Sequence, residues 1–325
     1  MDAQLHTTGG RPVLRFERSL PHPPEKVWRA VTDPAEMAHW FPAAVRTELR
    51  VGAAMRFDFG EGDDGSYADG EILELDPPRV YAFRWTDEHF RLELVPQDPG
   101  CLLVFTVTMS GTGTVGDLPS VARNAPGWDA CLDGLTARLD ERAAPELTPE
   151  WFLARAEHYI DRFGLAEGAL DRTADGYRVR FERDLVQPVT EVWDVLHGDA
   201  PAPGAPPPRC THGYLEPGAV TATAPPHTLE YTWLHDGAPA GTVRFEMREQ
   251  EPIGCRLVLT QTVPAHLGDL CATALAAWQT HLEILFATLH GAQMCWPEGR
   301  TEHLATRYAD SLRNATPAAP AARPR

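Results

Sequence analysis

The segment LRFERSLPHPPEKVW, residues 14–28, returns as VRFERDLVQPVTEVW at residues 179–193. Both segments contain Arg-Phe-Glu-Arg, a leucine, a proline and a closing Val-Trp, all at one offset of 165 positions. Chance rarely places so many identities in a single register, and self-similarity at a fixed spacing indicates a structural repeat. The sequence therefore predicts two copies of one domain.

The repeated segment has the pattern of a strand followed by a helix. Residues 14–20 alternate apolar and polar side chains, as half-buried strands do. Pro24 and Glu25 suit the first turn of a helix, because proline needs no donor there and an acid meets the positive end of the helix dipole. Asp33-Pro34 ends this helix, since the residue before a proline avoids the helical region.

The rest of the first copy predicts an antiparallel sheet closed by a long helix. A short second helix covers residues 35–41. Alternating patterns between Gly, Pro and Asp turns then predict strands over residues 45–51, 53–60, 67–75, 80–85, 90–95 and 102–109. The closing helix is predicted over residues 127–141, where apolar side chains recur at helical spacing.

The later elements also repeat. GWDACLDGL at residues 127–135 returns as AWQTHLEIL at residues 277–285, and PPRVYAFRW from residue 77 returns as PPHTLEYTW from residue 225. A trailing helix follows in both copies, with Tyr159 corresponding to Tyr308. The repeat therefore extends beyond the closing helix.

The second copy is the shorter one. The offset falls from 165 at the first strand to 148 at the Pro-Pro turn, so 17 residues are missing. The missing region contains Trp40-Phe41 and the strand with Met55, Phe57 and Phe59. Residues 198–213, GDAPAPGAPPPRCTHG, replace it and contain too many prolines for a helix or a paired strand.

Composition excludes several classes of function. The net charge is −17 and no Lys/Arg cluster occurs, which argues against binding nucleic acid or an anionic membrane surface. The sequence shows neither a secretory signal nor an 18-residue apolar stretch. Its six cysteines have no paired spacing, so we expect free thiols and a cytoplasmic location.

The order of elements resembles the SRPBCC superfamily, also called START-like, whose members have a helix-grip fold. The resemblance is carried by PPEKVWRAVTDPAEMAHWF, GEILELDPPRVYAFRW and GWDACLDGL in the first copy, and by PVTEVWDVL, PPHTLEYTW and AWQTHLEIL in the second. The chain looks most similar to homologues of the activator of the heat-shock-protein ATPase. The resemblance implies an α+β protein of two tandem domains, each a curved antiparallel sheet around a long C-terminal helix.

The predicted boundaries follow from the repeat. The first domain covers residues 12–142 and the shortened second domain residues 177–291, with a helical linker over residues 143–176. A C-terminal helix covers residues 292–313. Residues 314–325 have no apolar surface to bury and are expected to be disordered.

The helix-grip resemblance also implies a cavity between sheet and helix. In the first domain the expected ligand-binding wall consists of Trp40, Phe41, Met55, Phe57, Phe59, Tyr67, Phe83, Trp85, Phe90 and Leu132. Such a wall suits a small hydrophobic or aromatic molecule bound without chemistry. The alternative is that these rings simply fill the core, as any half-buried sheet requires. The second domain lacks part of the wall and is expected to act as a scaffold or contact surface.

Two other functions remain open at this point. A co-chaperone-like or regulatory module would bind a protein partner through its surface and need no cavity. A polyketide aromatase or cyclase would need an ionisable pair facing the cavity, and the sequence leaves open whether Glu71 or Glu74 faces inward. No catalytic residue is assigned.

No cofactor or metal site is predicted. Residues 111–116, GTGTVG, match a dinucleotide fingerprint, but Pro119 and Pro126 are expected to prevent the helix that must follow it. The candidates for a zinc site, which share no typical spacing, are Cys210, His212, His281, His290 and Cys295.

Overall fold

In a computed structural model the chain divides into two compact units, residues 1–165 and residues 166–325. The structure describes residues 2–60, 67–198, 204–250 and 254–314. The predicted disordered tail lies outside the described residues, except for Asn314 at the end of the last helix.

The first unit is an eight-stranded antiparallel sheet with five helices among its described residues. Its strands are β1 (Gln4–Thr8), β2 (Arg11–Leu20), β3 (Ala44–Thr47), β4 (Ala54–Asp58), β5 (Tyr67–Asp76), β6 (Val80–Trp85), β7 (Glu88–Pro96) and β8 (Cys101–Thr108). Its helices are α1 (Pro24–Thr32), α2 (Pro34–Met37), α3 (Gly113–Gly116), α4 (Val121–Leu139) and α5 (Pro149–Arg162). The strand order is β1-β2-β8-β7-β6-β5-β4-β3.

The core of this unit lies between the sheet and α4. Strand β7 alternates strictly, burying Phe90, Leu92 and Leu94 on one face. Trp128 of α4 packs against Phe90 with the ring centroids 5.2 Å apart. The sheet therefore grips the closing helix, which confirms the predicted fold class.

Local signals set the turn between the first two helices. The Asp33 side chain accepts a hydrogen bond of 2.9 Å from the Ala35 backbone N–H and thereby caps α2. Its extended backbone ends α1 at the position that the following proline predicts.

The closing helix begins earlier than the sequence indicates. Helix α4 starts at Val121 instead of residue 127 and continues through Pro126. Proline removes one backbone donor, and burial of Val121, Ala122 and Ala125 in the first turns offsets that loss. The expectation that Pro126 prevents a helix is therefore wrong.

In its described residues the second unit has the same topology with two strands fewer. Its sheet contains β9 (Ala169–Arg172), β10 (Gly176–Leu185), β11 (Glu216–Ala224), β12 (Thr228–His235), β13 (Ala238–Glu249) and β14 (Cys255–Pro264). Its helices are α6 (Val189–His197), α7 (Cys271–Leu289) and α8 (Arg300–Asn314). The order β9-β10-β14-β13-β12-β11 corresponds to β1-β2-β8-β7-β6-β5.

The missing elements are those that the sequence predicts to be missing. Within the described residues 204–215 the only helical element is a single 3-10 turn, Pro208–Cys210, so no counterpart of α2, β3 or β4 occurs there. The prediction of a shortened second copy is confirmed.

A tyrosine ties the trailing helix to each unit. In the first unit the Tyr159 hydroxyl accepts a hydrogen bond of 3.0 Å from the Ala3 N–H and donates one of 2.5 Å to Asp129. Asp129 also accepts hydrogen bonds from Arg18 and Arg155 and is 1% exposed. Helix α5 and β1 thus lie in one unit with the sheet, although the sequence places them outside the first domain.

The second unit repeats this arrangement, but a neutral glutamine takes the place of the Asp129 carboxyl group. The Tyr308 hydroxyl of α8 accepts a hydrogen bond of 2.9 Å from the Gly168 N–H and donates one of 2.7 Å to Gln279. Gln279 follows Trp278 as Asp129 follows Trp128. Strand β9, which lies within the predicted linker, pairs with β10 in this unit's sheet.

Candidate functional site

An aromatic cluster occupies the centre of the first unit. The loop after α2 inserts Phe41 among rings from β4, β6 and α4, and its centroid lies within 6.1 Å of five neighbouring rings. The wider cluster comprises Trp40, Phe41, Phe57, Phe83, Trp85, Phe90, Phe105 and Trp128. The structure thus brings together most of the residues that the sequence analysis singles out.

The inner members of the cluster are packed against one another. Phe57 stacks on Trp85 at 4.5 Å and Phe83 stacks on Phe90 at 5.1 Å. Met55 and Leu132 are fully buried beside them. Offset and edge contacts at these distances are typical of aromatic side chains in a filled core. These inner rings are therefore in direct contact with one another.

Gly70 makes this packing feasible. A Cβ at this position would lie 2.2 Å from the Arg84 carbonyl oxygen and 2.7 Å from the Phe57 ring. The absent side chain lets Phe57 lie over β5. The register shift of β5 is located between Ile72 and Glu74, beyond this glycine.

The outer members of the cluster reach its edge. Phe59 is 49% exposed and stacks on Trp85 at 5.6 Å, and Trp85 itself is only partly buried. Tyr67 opens β5 opposite Asp58, but its side chain lies outside the described residues. Trp40, 6% exposed, borders a second space on the other side of α4.

That second space is a groove of about 590 Å³, here called the outer groove. It is bordered by residues 39–42, by the face of α4 that includes Gly127, Ala130 and Gly134, and by residues 144–152. Trp151, Phe152, Leu147 and several prolines make most of its surface apolar. No pattern in the sequence predicts this groove.

Small residues on α4 create the outer groove. A Cβ added to Gly134 would contact Trp40 at 3.5 Å, whereas a Cβ added to Gly127 would meet nothing within 4 Å. The Trp40 ring is held in place because its Nε1–H donates a hydrogen bond of 2.9 Å to the Ala30 carbonyl. The groove thus has one fixed aromatic wall and open space beside Gly127.

The opposite wall is fixed by the trailing helix. Thr148 caps α5 by accepting a hydrogen bond of 3.2 Å from the Trp151 N–H. Further along α5, Tyr159 anchors the helix to Asp129. Both walls of the outer groove therefore rest on hydrogen-bonded elements of the same unit.

One inward-facing carboxyl was missed by the sequence analysis. Glu88 pairs with Trp85 across β6 and β7 and has the same parity as Phe90, so its side chain is on the helix-facing side of the sheet. Burial raises its pKa to about 7, although the charges of Arg11 and Arg123 act to lower it. The sequence could have indicated this orientation, because the alternation of β7 begins at Glu88, two residues before the predicted strand.

The two carboxyls that the sequence left open face outward. Glu71 lies 4.0 Å from Arg84 and Glu74 lies 3.3 Å from Arg91, and both side chains are about half exposed. They are surface ion pairs, which contribute little free energy.

The remaining sequence motifs form no recognisable site. Gly111 donates a backbone hydrogen bond to Gly116 around the short α3, and the sheet beside it is antiparallel, unlike a dinucleotide-binding fold. Among the described residues no three His, Cys, Asp or Glu side chains are grouped as a metal site would require. None of the helices in the described part of the chain has the length and apolar character needed to cross a membrane.

Several solved structures resemble this chain. A conserved protein of unknown function, EF2215 from Enterococcus faecalis, is 19% identical over 50% of this chain and 90% of its own, with a TM-score of 0.43. CalU16 from Micromonospora echinospora is 22% identical over 49% of this chain and 94% of its own, with a TM-score of 0.37. DynU16, from the dynemicin biosynthetic locus, is 18% identical over 92% of this chain and 98% of its own, with a TM-score of 0.37.

The family comparison is more specific. No curated protein matches the chain. The profile described as "Activator of Hsp90 ATPase homolog 1-like protein" matches residues 21–140, which extend from the loop before α1 to the end of α4. The first unit is therefore similar over residues 21–140 to the Activator of Hsp90 ATPase homolog 1-like family, and the described part of the second unit repeats the fold of the first in shortened form.

Proposed function

We propose that the first unit binds a small apolar or aromatic molecule, without chemistry, in the outer groove beside Trp40. The observation that carries this proposal is a groove of about 590 Å³ between two fixed walls that are rich in aromatic residues. Small-molecule sites typically measure about 300–1,000 Å³ and combine apolar walls with a few polar groups. His39, Cys131 and Thr148 are the polar groups available here.

The aromatic cluster supports this site from beneath. Trp40 contacts Phe41, which joins the groove wall to the rings of the core. Of the predicted wall residues, Trp40 is thus proposed to touch the ligand, and the inner rings are proposed to hold it in position. The second unit has no described counterpart of Trp40 and is not expected to bind the same ligand.

A blocking substitution tests the proposal. Gly127→Leu places a side chain into the open space of the groove, and leucine favours the helix more than glycine does. Asp161→Leu puts the same side chain on the exposed surface of α5 and serves as the control. The probe is 2-naphthol, and fluorine NMR of fluorotryptophan-labelled protein reports on Trp40 and Trp151.

We expect saturable shifts of the Trp40 and Trp151 signals in the wild type and in the control, and their loss in Gly127→Leu. Shifts that persist in Gly127→Leu would refute the outer groove as the site. The mass of the recovered probe should be unchanged, because no reaction is proposed. A changed mass would favour the cyclase alternative, for which Glu88 is the inward-facing carboxyl.

The protein-interaction alternative predicts a different outcome. A co-chaperone-like module would bind its partner equally well with and without Gly127→Leu, since no groove is needed. We propose the cytoplasm as the location, which is supported by six unpaired cysteines.

A further inference from the structure

The second unit has its own groove at the corresponding place. This second groove measures about 420 Å³ and lies between Val195 of α6, Arg209, the face of α7 from His281 to Thr288, and residues 292–295. In both units, therefore, the face of the closing helix turned away from the sheet borders a groove closed by the segment that leads to the trailing helix.

The two grooves differ in chemistry at matching positions. Because GWDACLDGL aligns with AWQTHLEIL, Cys131 corresponds to His281 and Gly134 corresponds to Ile284. Ile284 narrows the second groove where Gly134 leaves room for Trp40 in the first. His281 places an imidazole on the closing helix where the first groove has the thiol of Cys131.

His281 is built into the groove wall as a neutral hydrogen-bond acceptor. It is 9% exposed and packs edge-on against Trp278, with the ring centroids 5.4 Å apart. The His281 ring forms a hydrogen bond with the Arg209 backbone, while its Nε2 is buried and has no hydrogen-bond partner among the described residues. The proton that meets a backbone carbonyl must therefore be on Nδ1, which leaves Nε2 with a free lone pair.

Burial keeps this ring uncharged. It lowers the pKa of His281 to about 4 and that of the neighbouring His212 to about 3. Near neutral pH the uncharged ring consequently has a lone pair on Nε2 that can accept a hydrogen bond, and it does not attract anions.

We propose that the second groove binds a small hydroxyl-bearing aromatic molecule whose O–H donates a hydrogen bond to Nε2 of His281. A buried acceptor without a partner is unfavourable, so a ligand donor that reaches it adds both specificity and affinity. An aromatic body suits the apolar remainder of the wall, which includes Ile284, Leu285 and Met294. This site lies in the unit that plays no part in the function proposed for the outer groove.

Phenol and toluene provide a matched pair of probes. They have nearly the same size and apolar ring, but only phenol carries a donor. With the full-length protein near neutral pH, we expect phenol to bind about three- to tenfold more tightly than toluene, the range that one hydrogen bond supplies. His281→Phe keeps a ring in the wall and should bring the two affinities together.

A measurement on the wild type makes the test independent of any variant. With isotope-labelled histidine, nitrogen NMR should show a shift of the His281 Nε2 resonance on adding phenol and none on adding toluene. The histidine signal missing from His281→Phe identifies the resonance. Equal affinities for the two probes, no saturable phenol binding, or an unchanged Nε2 resonance would each overturn the proposal.

Discussion

Replacing the inward-facing Glu88 with glutamine should change how stability depends on pH. Glu88 lies on the helix-facing side of the sheet opposite Trp85, where burial raises its pKa from 4.5 to about 7. Arg11 and Arg123 lower the pKa and Asp87 raises it, but burial is the largest influence. Glutamine keeps the shape of the protonated acid and cannot ionise.

The sign follows from the direction of the shift. Well below pH 4.5 the carboxyl is protonated in the folded and the unfolded chain, and Glu88 then has no ionisation penalty. As the pH rises towards about 7, the unfolded chain loses this proton first, so the folded state becomes progressively less favoured. The wild type therefore loses stability relative to Glu88→Gln over this range.

The magnitude follows from the size of the shift. A pKa raised from 4.5 to about 7 corresponds to roughly 3 kcal/mol. Because the side chain is only partly buried, water reduces the effect, and we expect about 1–3 kcal/mol. For a unit of this size that equals a difference in melting temperature of about 2–12 °C.

The assay compares thermal or urea unfolding of the wild type and Glu88→Gln at several pH values between about 4 and 8. Taking the difference between the two proteins cancels all other titrating groups. Glu71→Gln, on the outer face of the same sheet, is the control and should differ from the wild type by only a few tenths of a kcal/mol. A difference for Glu88→Gln that stays constant over the whole range would show that this carboxyl is not buried as described.

Two further predictions concern packing and the trailing helix. Tyr159→Phe removes three hydrogen bonds, those with the Ala3 N–H, the Arg155 guanidinium and the Asp129 carboxyl group, and should lower the free energy of unfolding by about 2–3 kcal/mol in urea titrations. Tyr308→Phe removes the neutral counterpart and should cost less, about 1–2 kcal/mol, so equal losses would contradict the role of the charge. Gly70→Ala forces a Cβ to within 2.2 Å of the Arg84 carbonyl and should destabilise the first unit by about 3 kcal/mol, whereas an unchanged melting temperature would contradict the close approach.

The order of elements could be predicted because local patterns determine it. Alternation in β7 and the Asp33-Pro34 break in the helices depend only on neighbouring residues. Because the two copies align, each strand or helix predicted in the first copy could also be predicted at the corresponding position of the second. Edge strands β1 and β9 were missed because they bury almost no side chain and so show no apolar period.

The site could not be predicted to the same extent because it depends on contacts between distant residues. Strand parity showed which rings face the helix, but whether Phe41 and Phe57 fill the space or line it depends on the approach that Gly70 permits. The outer groove depends on where residues 144–148 cross α4. Helix α5, which follows this segment, is held in place by the hydrogen bond between Tyr159 and Asp129. That segment has no periodic pattern of its own.

The two closing helices differ on the face that borders a groove, where substitutions leave the fold intact. Towards the sheet both retain a tryptophan and a leucine, Trp128 and Leu132 in the first unit and their counterparts Trp278 and Leu282 in the second, all of them buried. A change there would open a void or overfill a tightly packed layer, and either costs several kcal/mol. On the groove side a change alters only the shape and polarity of an open space. The thiol of Cys131 in the first unit corresponds to the imidazole of His281 in the second. A difference at this position can therefore change which molecule is bound while the packing of the sheet against the helix stays the same.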